Sequence, residues 1–490
     1  MEPGRHPHSL SKTSFYHFPK ITKKQACQGM ACFVARHLDP AKYESALESK
    51  YAVNCLGKCF LAPACGGDEA RPRIEARCQT PVLLARVLKG GAHDLKSYLQ
   101  AGGFAGLKRA LFEGADFVLD ELDTSQLRGR GGAGFPAGKK WRAVAEQPAG
   151  TKYIVANADE GDPGAYIDRY LMEDDPFCLI EAMTIAGFAV GAKRGYIYLR
   201  AEYPHAYEAL QAALREAREA GWLGSSIDHT TFGFDIDIFV GHGSYVCGEE
   251  TALLNSIEGR RPEVRTRPPY PTEAGLYGKP TLVNNVETFA SVPWIVREGG
   301  AKYSAMGFSK SRGTKLLSLN SLFNRPGLYE VEFGIPVRKI VEEVGGGLRG
   351  GTLRGVVIGG PLAGIIPPEL LDTRFGFEEL RAIGASVGHS AVVAFDEHTS
   401  IAELMHHVFR FGAFESCGKC TPCREGGARV ASLLERVAAG GELAAEEEQE
   451  MNSILTALAE TSVCGLGTGM ADFARSALRY YAEELKPCYA

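Results

Sequence analysis

The 490-residue sequence predicts an α/β and α+β multidomain chain. Three observations carry this. The centre alternates strand-like and helix-like runs, residues 314–362 place a hairpin before a helix and a further strand, and from about residue 400 the pattern is helical. In the centre, 151–157 (TKYIVAN), 194–200 (RGYIYLR) and 234–241 (FDIDIFVG) read as strands. Between them, 176–192 (PFCLIEAMTIAGFAVGA) reads as a buried helix and 204–222 (PHAYEALQAALREAREAGW) as an amphipathic one. Such alternation implies a mainly parallel sheet with helices on its faces. Next come KLLSLNSL, the turn NRPG, LYEVEFG, the helix-like PVRKIVEEVGG and RGVVIGG, the pattern of a small mixed α+β unit. Four amphipathic stretches, 401–412, 428–440, 444–460 and 470–485, fit a helical bundle.

Apolar content of 45% and charged content of 23% are ordinary for a soluble protein. The net charge of -5 supplies no basic surface for nucleic acid or anionic lipid. Residues 1–20 have no apolar core of signal-peptide type, and the longest apolar run, 179–192, is well short of the ~20 residues that span a bilayer. A cytoplasmic location without direct membrane insertion is therefore expected. There, the thirteen cysteines are expected as metal ligands or free thiols rather than disulfides. Six lie between residues 27 and 78 and four between 417 and 464.

The stretch FESCGKCTPCREG carries Cys417, Cys420 and Cys423 in C-x2-C-x2-C spacing, and TSVCGLGTG supplies Cys464. Three evenly stepped thiolates around one centre point to a [4Fe-4S] cluster. The alternative is a four-cysteine zinc site, which more often uses two separated pairs. At the other end, Cys27 and Cys32 (C-x4-C) precede Cys55 and Cys59 (C-x3-C). Two pairs suit a [2Fe-2S] cluster or zinc, and spacing alone prefers neither. Cys65 and Cys78 stand by as spare thiols or replacement ligands.

LRGRGGAGFPAGKKW contains Gly129, Gly131 and Gly134 in G-x-G-x-x-G spacing, with Gly132 between. The dinucleotide-fold context is missing, because the preceding FVLDELDTSQL does not read as a strand. The glycines still imply unusual backbone geometry or close ligand approach. Arg130, Lys139 and Lys140 add positive charge at the start of a helix, which favours a phosphate over a plain surface loop. VANADEGDPGAY gathers Asn157, Asp159, Glu160 and Asp162 at a strand end, where open α/β sheets bind ligands. Glu249 and Glu250 fall in the first turn of a helix, where dipole complementarity alone explains them. Asn284 and Asn285 can bind a heteroaromatic ring edge or simply form a turn. Together these clusters suit a ligand with a ring, a sugar-like chain and a phosphate.

In order, GRGGAGFPAGKKW, NADEGDPGAY, YVCGEETALLNSIEG, PTLVNNVET, ESCGKCTPCREG and SVCGLG resemble the NADH-binding flavoprotein subunit of respiratory complex I. They equally resemble the diaphorase subunits of NAD-dependent formate dehydrogenases and NAD-reducing hydrogenases. The resemblance runs from about residue 95 to 485. SFYHFPK, CQGMAC and CLGKCFLAP resemble the thioredoxin-like [2Fe-2S] subunit of the same module, shortened here so that 22 residues separate Cys32 from Cys55. The resemblance implies four units. They are a shortened thioredoxin-like ferredoxin domain (1–90), a Rossmann-like FMN- and NAD(H)-binding domain (95–310), a β-grasp domain (311–390) and a four-helix bundle bearing [4Fe-4S] (391–490).

By motif position, the resemblance implies that Gly129, Arg130, Gly131, Gly132, Gly134 and Lys140 hold the FMN phosphate and ribityl end. Asn157, Asp159, Asn284, Asn285 and Thr288 would meet ribityl or ring atoms, and Tyr245, Gly248 and Glu249 would line the ring pocket. Phe135, Glu160, Asp162, Glu250, Arg267 and Tyr270 would meet the nicotinamide nucleotide. Cys417, Cys420, Cys423 and Cys464 match the [4Fe-4S] ligands, and Cys27, Cys32, Cys55 and Cys59 match those of the [2Fe-2S] cluster. Three departures stand out. Asp162 replaces the usual Glu of complex I, Arg267 stands where Lys is common, and Ala143 stands where an aromatic often covers the nicotinamide. A carboxylate at 162 repels a 2′-phosphate, so NAD is expected over NADP.

The expected activity is exchange of a hydride between NAD(H) and FMN, with single electrons passed through iron–sulfur clusters to or from a partner subunit. The fusion and NADEGDPGAY favour a molybdopterin formate dehydrogenase as partner. Hydrogenase and complex I partners, with other iron–sulfur subunits, are the alternatives. A reading from another class is a non-catalytic cluster scaffold with a decayed nucleotide site, against which the intact glycine loop, Lys140 and both amides speak.

Overall fold

The structure, a computed structural model, describes residues 25–48 and 52–485. The stretch SFYHFPK, the first twenty residues as a whole and Cys488 lie outside them.

The expected parallel sheet is present. Its strands are Tyr153–Ala158, Arg194–Arg200, Asp235–Gly241 and Thr281–Asn285, and every pairing is parallel. Strand Tyr153–Ala158 lies between Arg194–Arg200 on one side and Thr281–Asn285 on the other. The chain thus winds outward twice in one direction and then returns, creating a switch point at the carboxyl ends of two strands. Alternation of side chains explains how both faces are covered. Ile154 and Ala156 join the large core that contains helix Pro176–Val190, whereas Val155 joins a second cluster with Leu253, Leu254 and Ile257 of helix Glu250–Ile257. Helix Pro176–Val190 is apolar nearly all round and is buried all round, as such a helix must be. Its one acid, Glu181, accepts from the Phe104 and Leu107 N–H groups at 2.9 and 3.0 Å and from the Tyr98 hydroxyl.

The mixed unit is a six-stranded sheet in the order Ile365–Ile366, Leu353–Ile358, Ala391–Asp396, Thr314–Leu319, Gly327–Glu332, Arg73–Ala76. It draws strands from beyond the expected limits of 311 and 390. Ala391–Asp396 is buried throughout and forms the middle of the sheet. Arg73–Ala76, expected in the amino-terminal unit, adds a parallel edge strand beside Gly327–Glu332. The buried carboxylate of Glu330 reinforces that join by accepting from the N–H groups of Val82, Leu83 and Leu84.

Helices Ile401–Phe414, Gly427–Ala438, Ala445–Thr461 and Gly465–Tyr480 form the bundle. Ser400 and Glu403 build a capping box at its first helix. The amino-terminal unit has little regular structure. Two short parallel strands, Ala26–Cys27 and Ala52–Val53, flank helices Met30–Val34 and Pro40–Leu47. Among the described residues no helix is long and apolar enough to cross a membrane.

Candidate functional site

The switch point gathers most of the expected residues. Asn157 and Asn285 are register partners on the two adjacent strands, and Asn284 pairs with Ala156. Asn157 donates to the Gly248 carbonyl at 2.8 Å and accepts from the Asp159 N–H at 3.2 Å. This ties the strand end to the turn before helix Glu250–Ile257. Asn285 caps helix Val286–Glu298 by accepting from Glu287 and Thr288 N–H, and it donates to Asp168 at 2.6 Å. Asn284 is buried against Trp141. With its amide oxygen turned to the indole it accepts from Trp141 Nε1 at 3.1 Å and donates to the Val283 carbonyl at 2.8 Å. That orientation satisfies both groups.

The glycine loop sits over these strand ends. The Gly129 N–H donates to Phe135 O at 2.9 Å and the Ala137 N–H to Leu127 O at 2.8 Å, closing residues 128–136 into a tight loop before helix Ala137–Ala145. Gly134 has φ 62°, and a side chain there would strike the Phe377 ring. Lys140 reaches the Val283 carbonyl at 2.9 Å and the Glu250 carboxylate at 2.6 Å. Arg130 contributes differently from expectation. Its backbone N–H donates to Thr288 Oγ1 at 2.8 Å, but its guanidinium is fully buried against Tyr303 Oη and the Arg312 carbonyl, at 2.8 and 2.7 Å. Lys139 and Lys140, in the helix that follows the loop, stand nearby, with Lys140 paired to Glu250.

Glu160 also turns inward. It is 3% exposed and accepts from the N–H groups of Ile167, Asp168 and Arg169, from Tyr203 Oη at 2.9 Å, and pairs with His389 Nε2 at 2.8 Å. His389 also meets Asp168 at 3.3 Å. Burial opposes charge on the imidazole, but the two carboxylates outweigh it and hold its pKa well above the ordinary value. Burial likewise opposes the Glu160 charge, and the His389 contact and backbone N–H groups bring its pKa below the usual range. Lys315 and Glu287 form a second fully buried ion pair, with Glu287 also accepting from the Leu316 N–H at 2.9 Å. None of Asp168, His389, Lys315 and Glu287 was expected at the site. An isolated lysine in the apolar run TKLLSL is the one signal of them that the sequence carries.

Groups left facing the pocket have the character of a flavin cradle. Asp159 is buried, its Oδ2 has no hydrogen-bond partner, and burial drives its pKa well up. Such a carboxyl seeks a donor from a bound molecule. Tyr245 Oη donates to Asp162 at 2.8 Å, placing the ring and the acid together. Glu249 caps helix Glu250–Ile257, as dipole complementarity predicts, and Arg267 approaches Glu249 and Glu250 at 3.8 and 3.4 Å. Phe135 and Tyr270 are large aromatics left 55% and 53% exposed, on segments leading into helices that pack together. They offer surfaces for a planar ring.

The bundle joins this pocket directly. The Tyr245 N–H donates to Glu415 at 3.0 Å, and the Tyr245 ring packs edge-on against Phe411 at 5.1 Å. Two residues on, Cys417 packs against the small cluster of Val246, Ala252 and Val264, as do Val463 and Cys464. Cys423 lies in the irregular turn Pro422–Gly426, and a β-carbon on Gly467 would come 3.5 Å from its own. Gly467 is in the first turn of the helix that follows Cys464, so the loop and the fourth cysteine meet. Burial raises the pKa of Cys423 and takes Cys464 to about 11, with repulsion from the neighbouring thiols adding to both.

Cys27, Cys32, Cys55 and Cys59 are all buried and also converge. Cys32 is raised chiefly by its hydrogen bond with Cys27 and Cys59 by that with Cys55, while Cys55 falls to about 6. The Gly57 and Ala64 N–H groups donate to Cys55 and Cys32 sulfur at 3.3 and 3.4 Å, as iron–sulfur ligands commonly accept. The four thiols thus meet as two hydrogen-bonded pairs, Cys27 with Cys32 and Cys55 with Cys59. Cys65 and Cys78 are only partly buried.

The family models agree with this layout. Residues 122–294 match the Nuo51 FMN-binding domain, and residues 403–487 match the NADH-ubiquinone oxidoreductase-F iron-sulfur binding region. The chain is 42% identical over 407 residues to the F 2 subunit of NADH-quinone oxidoreductase in Rhizobium meliloti (strain 1021), covering 82% of this chain and 96% of that one. It is 41% identical over 392 residues to the NADP-reducing hydrogenase subunit HndC of Solidesulfovibrio fructosivorans, covering 80% of each. A crystal structure of NAD+-reducing [NiFe]-hydrogenase in the air-oxidized state superposes with TM-score 0.81 at 28% identity, covering 99% of this chain and 88% of that one. The chain belongs to the family of NADH-quinone oxidoreductase F subunits and related hydrogenase diaphorases, NAD(H)-dependent oxidoreductase subunits that bind FMN and a [4Fe-4S] cluster.

Proposed function

We propose that this chain is the diaphorase subunit of a larger enzyme, exchanging electrons between NAD(H) and a metal-containing partner subunit. The observation that carries the reading is the continuous contact from Asp162 through Tyr245 and Glu415 to the Cys417 loop, which joins a nucleotide pocket to a cluster site. FMN, when bound, supplies the exchange between two-electron and one-electron chemistry. The chain's own residues bind and orient. Gly129 to Gly134 and Lys140 receive a phosphate, Asn157, Asp159 and Asn285 receive polar ribityl or ring groups, and Phe135 and Tyr270 receive the nicotinamide nucleotide. Glu160, Arg130 and Asn284 act from behind by holding strand ends and loop in place. No side-chain acid or nucleophile is needed.

Cys417, Cys420, Cys423 and Cys464 are proposed as the [4Fe-4S] ligands, and Cys27, Cys32, Cys55 and Cys59 as ligands of a [2Fe-2S] cluster. Formate dehydrogenase, favoured by the sequence, and hydrogenase are both consistent as partner. The superposition on a NAD+-reducing [NiFe]-hydrogenase over 99% of the chain favours the hydrogenase type as the second reading. The test is anaerobic purification with native partners. The reading requires bound flavin and NADH-dependent dye reduction, and NAD+ reduction driven by formate or by hydrogen then identifies the partner. Colourless protein indifferent to NADH would refute it.

A further inference from the structure

Arg200 ends strand Arg194–Arg200 and is only 4% exposed. Its guanidinium grips two carbonyls from different cofactor regions. Nη2 donates to Cys55 O at 2.9 Å, and Nη1 donates to Glu160 O, beside Asp159. Nε donates to Glu202 at 3.2 Å and Nη2 pairs with the same carboxylate at 3.1 Å. Tyr203 covers the guanidinium, its ring centre 4.9 Å from the central carbon. Arg200, Glu202, Cys55 and Asp159 stand at the wall of a cavity of about 470 Å³ between the amino-terminal unit, the flavin domain and the bundle. A charge held this far from bulk solvent acts on its neighbours with less screening than a surface charge does.

We propose that Arg200 is a positioning residue that sets the reduction potential of the amino-terminal cluster. Its cation stabilises the reduced state and Glu202 offsets part of that charge. On reduction the cluster gains one electron and one unit of negative charge; no bond forms or breaks and no proton is required. A neighbouring cation therefore raises the potential, and a neighbouring anion lowers it. The inference rests on the assignment of Cys27, Cys32, Cys55 and Cys59 as [2Fe-2S] ligands. It adds a control that the ligands do not supply, because Arg200 belongs to the flavin-domain sheet and links the two centres.

The test is an anaerobic redox titration of the full-length holoprotein, followed by electron paramagnetic resonance. The amino-terminal signal is identified as the one lost in Cys59→Ser. Arg200→Gln is expected to lower the reduced-to-oxidised ratio at fixed potential at least tenfold, 59 mV for one electron. Arg200→Lys, which keeps the charge, is expected to recover most of that shift. Glu202→Gln is expected to move the ratio the opposite way, and the [4Fe-4S] signal should stay in place throughout. If the wild type shows no signal sensitive to Cys59→Ser, the ligand assignment fails. If the signal is present and neither charge change moves it, the role of Arg200 is overturned. Should Arg200→Gln fail to fold, the sign of the Glu202→Gln shift decides.

Discussion

Gly131 lies against Asn285 so closely that a β-carbon on the glycine would stand 2.9 Å from the asparagine's own. Asn285 caps helix Val286–Glu298 and holds Asp168, so neither partner can yield cheaply. Overpacking of this kind costs about 1–3 kcal/mol. Gly131→Ala should therefore weaken FMN binding about tenfold or more while Gly129→Ala, whose nearest neighbour would be 3.7 Å away, does much less. Fluorescence titration of flavin-depleted protein with FMN compares them, and equal affinities would contradict the geometry.

The buried Glu160–His389–Asp168 group makes stability depend on pH with a definite sign. His389 has a raised pKa, so its contribution is complete below the ordinary histidine value near 6.5 and is lost as pH rises through the native value. Glu160 has a lowered pKa, so its contribution is present above the ordinary carboxylate value near 4.5 and is lost as pH falls through the native value. His389→Gln should remove the loss on the alkaline side, at a cost of about 3–5 kcal/mol at neutral pH from leaving buried carboxylates unpaired. Urea midpoints measured anaerobically across the alkaline range will check this, and an unchanged slope would count against the ion pair.

Cys464 stands at the start of helix Gly465–Tyr480, far in sequence from the Cys417 loop. Cys464→Ser should remove one cluster's worth of iron and sulfide. NADH oxidation with a dye that takes electrons from the flavin should persist, while transfer to the partner subunit is lost. Retention of the full iron content would assign the fourth ligand elsewhere.

Asp162 shares a hydrogen bond with Tyr245 and faces Gly360, where any β-carbon would strike its carboxylate. The role proposed for this carboxylate is to disfavour a 2′-phosphate. Asp162→Ser should raise kcat/KM for NADPH relative to NADH about tenfold, about 1.4 kcal/mol. Steady-state kinetics with both nucleotides will show it, and an unaltered ratio would place nucleotide discrimination elsewhere.

The regular elements with strong period were readable from sequence. Strand Arg194–Arg200 appears where RGYIYLR predicts it, and the four bundle helices follow their apolar spacing to within a few residues. Strand Arg73–Ala76 was not readable, because four residues carry little pattern and their partner lies some 250 positions later. At the site, glycines, amides and carboxylates drawn from motifs gather as a set. What the motifs conceal is direction. Glu160 and Arg130 look like ligand contacts, yet topology brings His389 to the first, 229 positions away, and Tyr303 to the second, and both side chains are consumed inside the protein. Distant pairings of this kind leave no local trace in the sequence.

The edge strand Arg73–Ala76, with the Glu330 carboxylate gripping the amides of Val82, Leu83 and Leu84, staples the segment between the amino-terminal cysteines and the flavin domain to the mixed sheet. A centre carried on the cysteines just before it is thereby tethered close to the flavin domain, so a viscous solvent is expected to slow electron transfer between the two little.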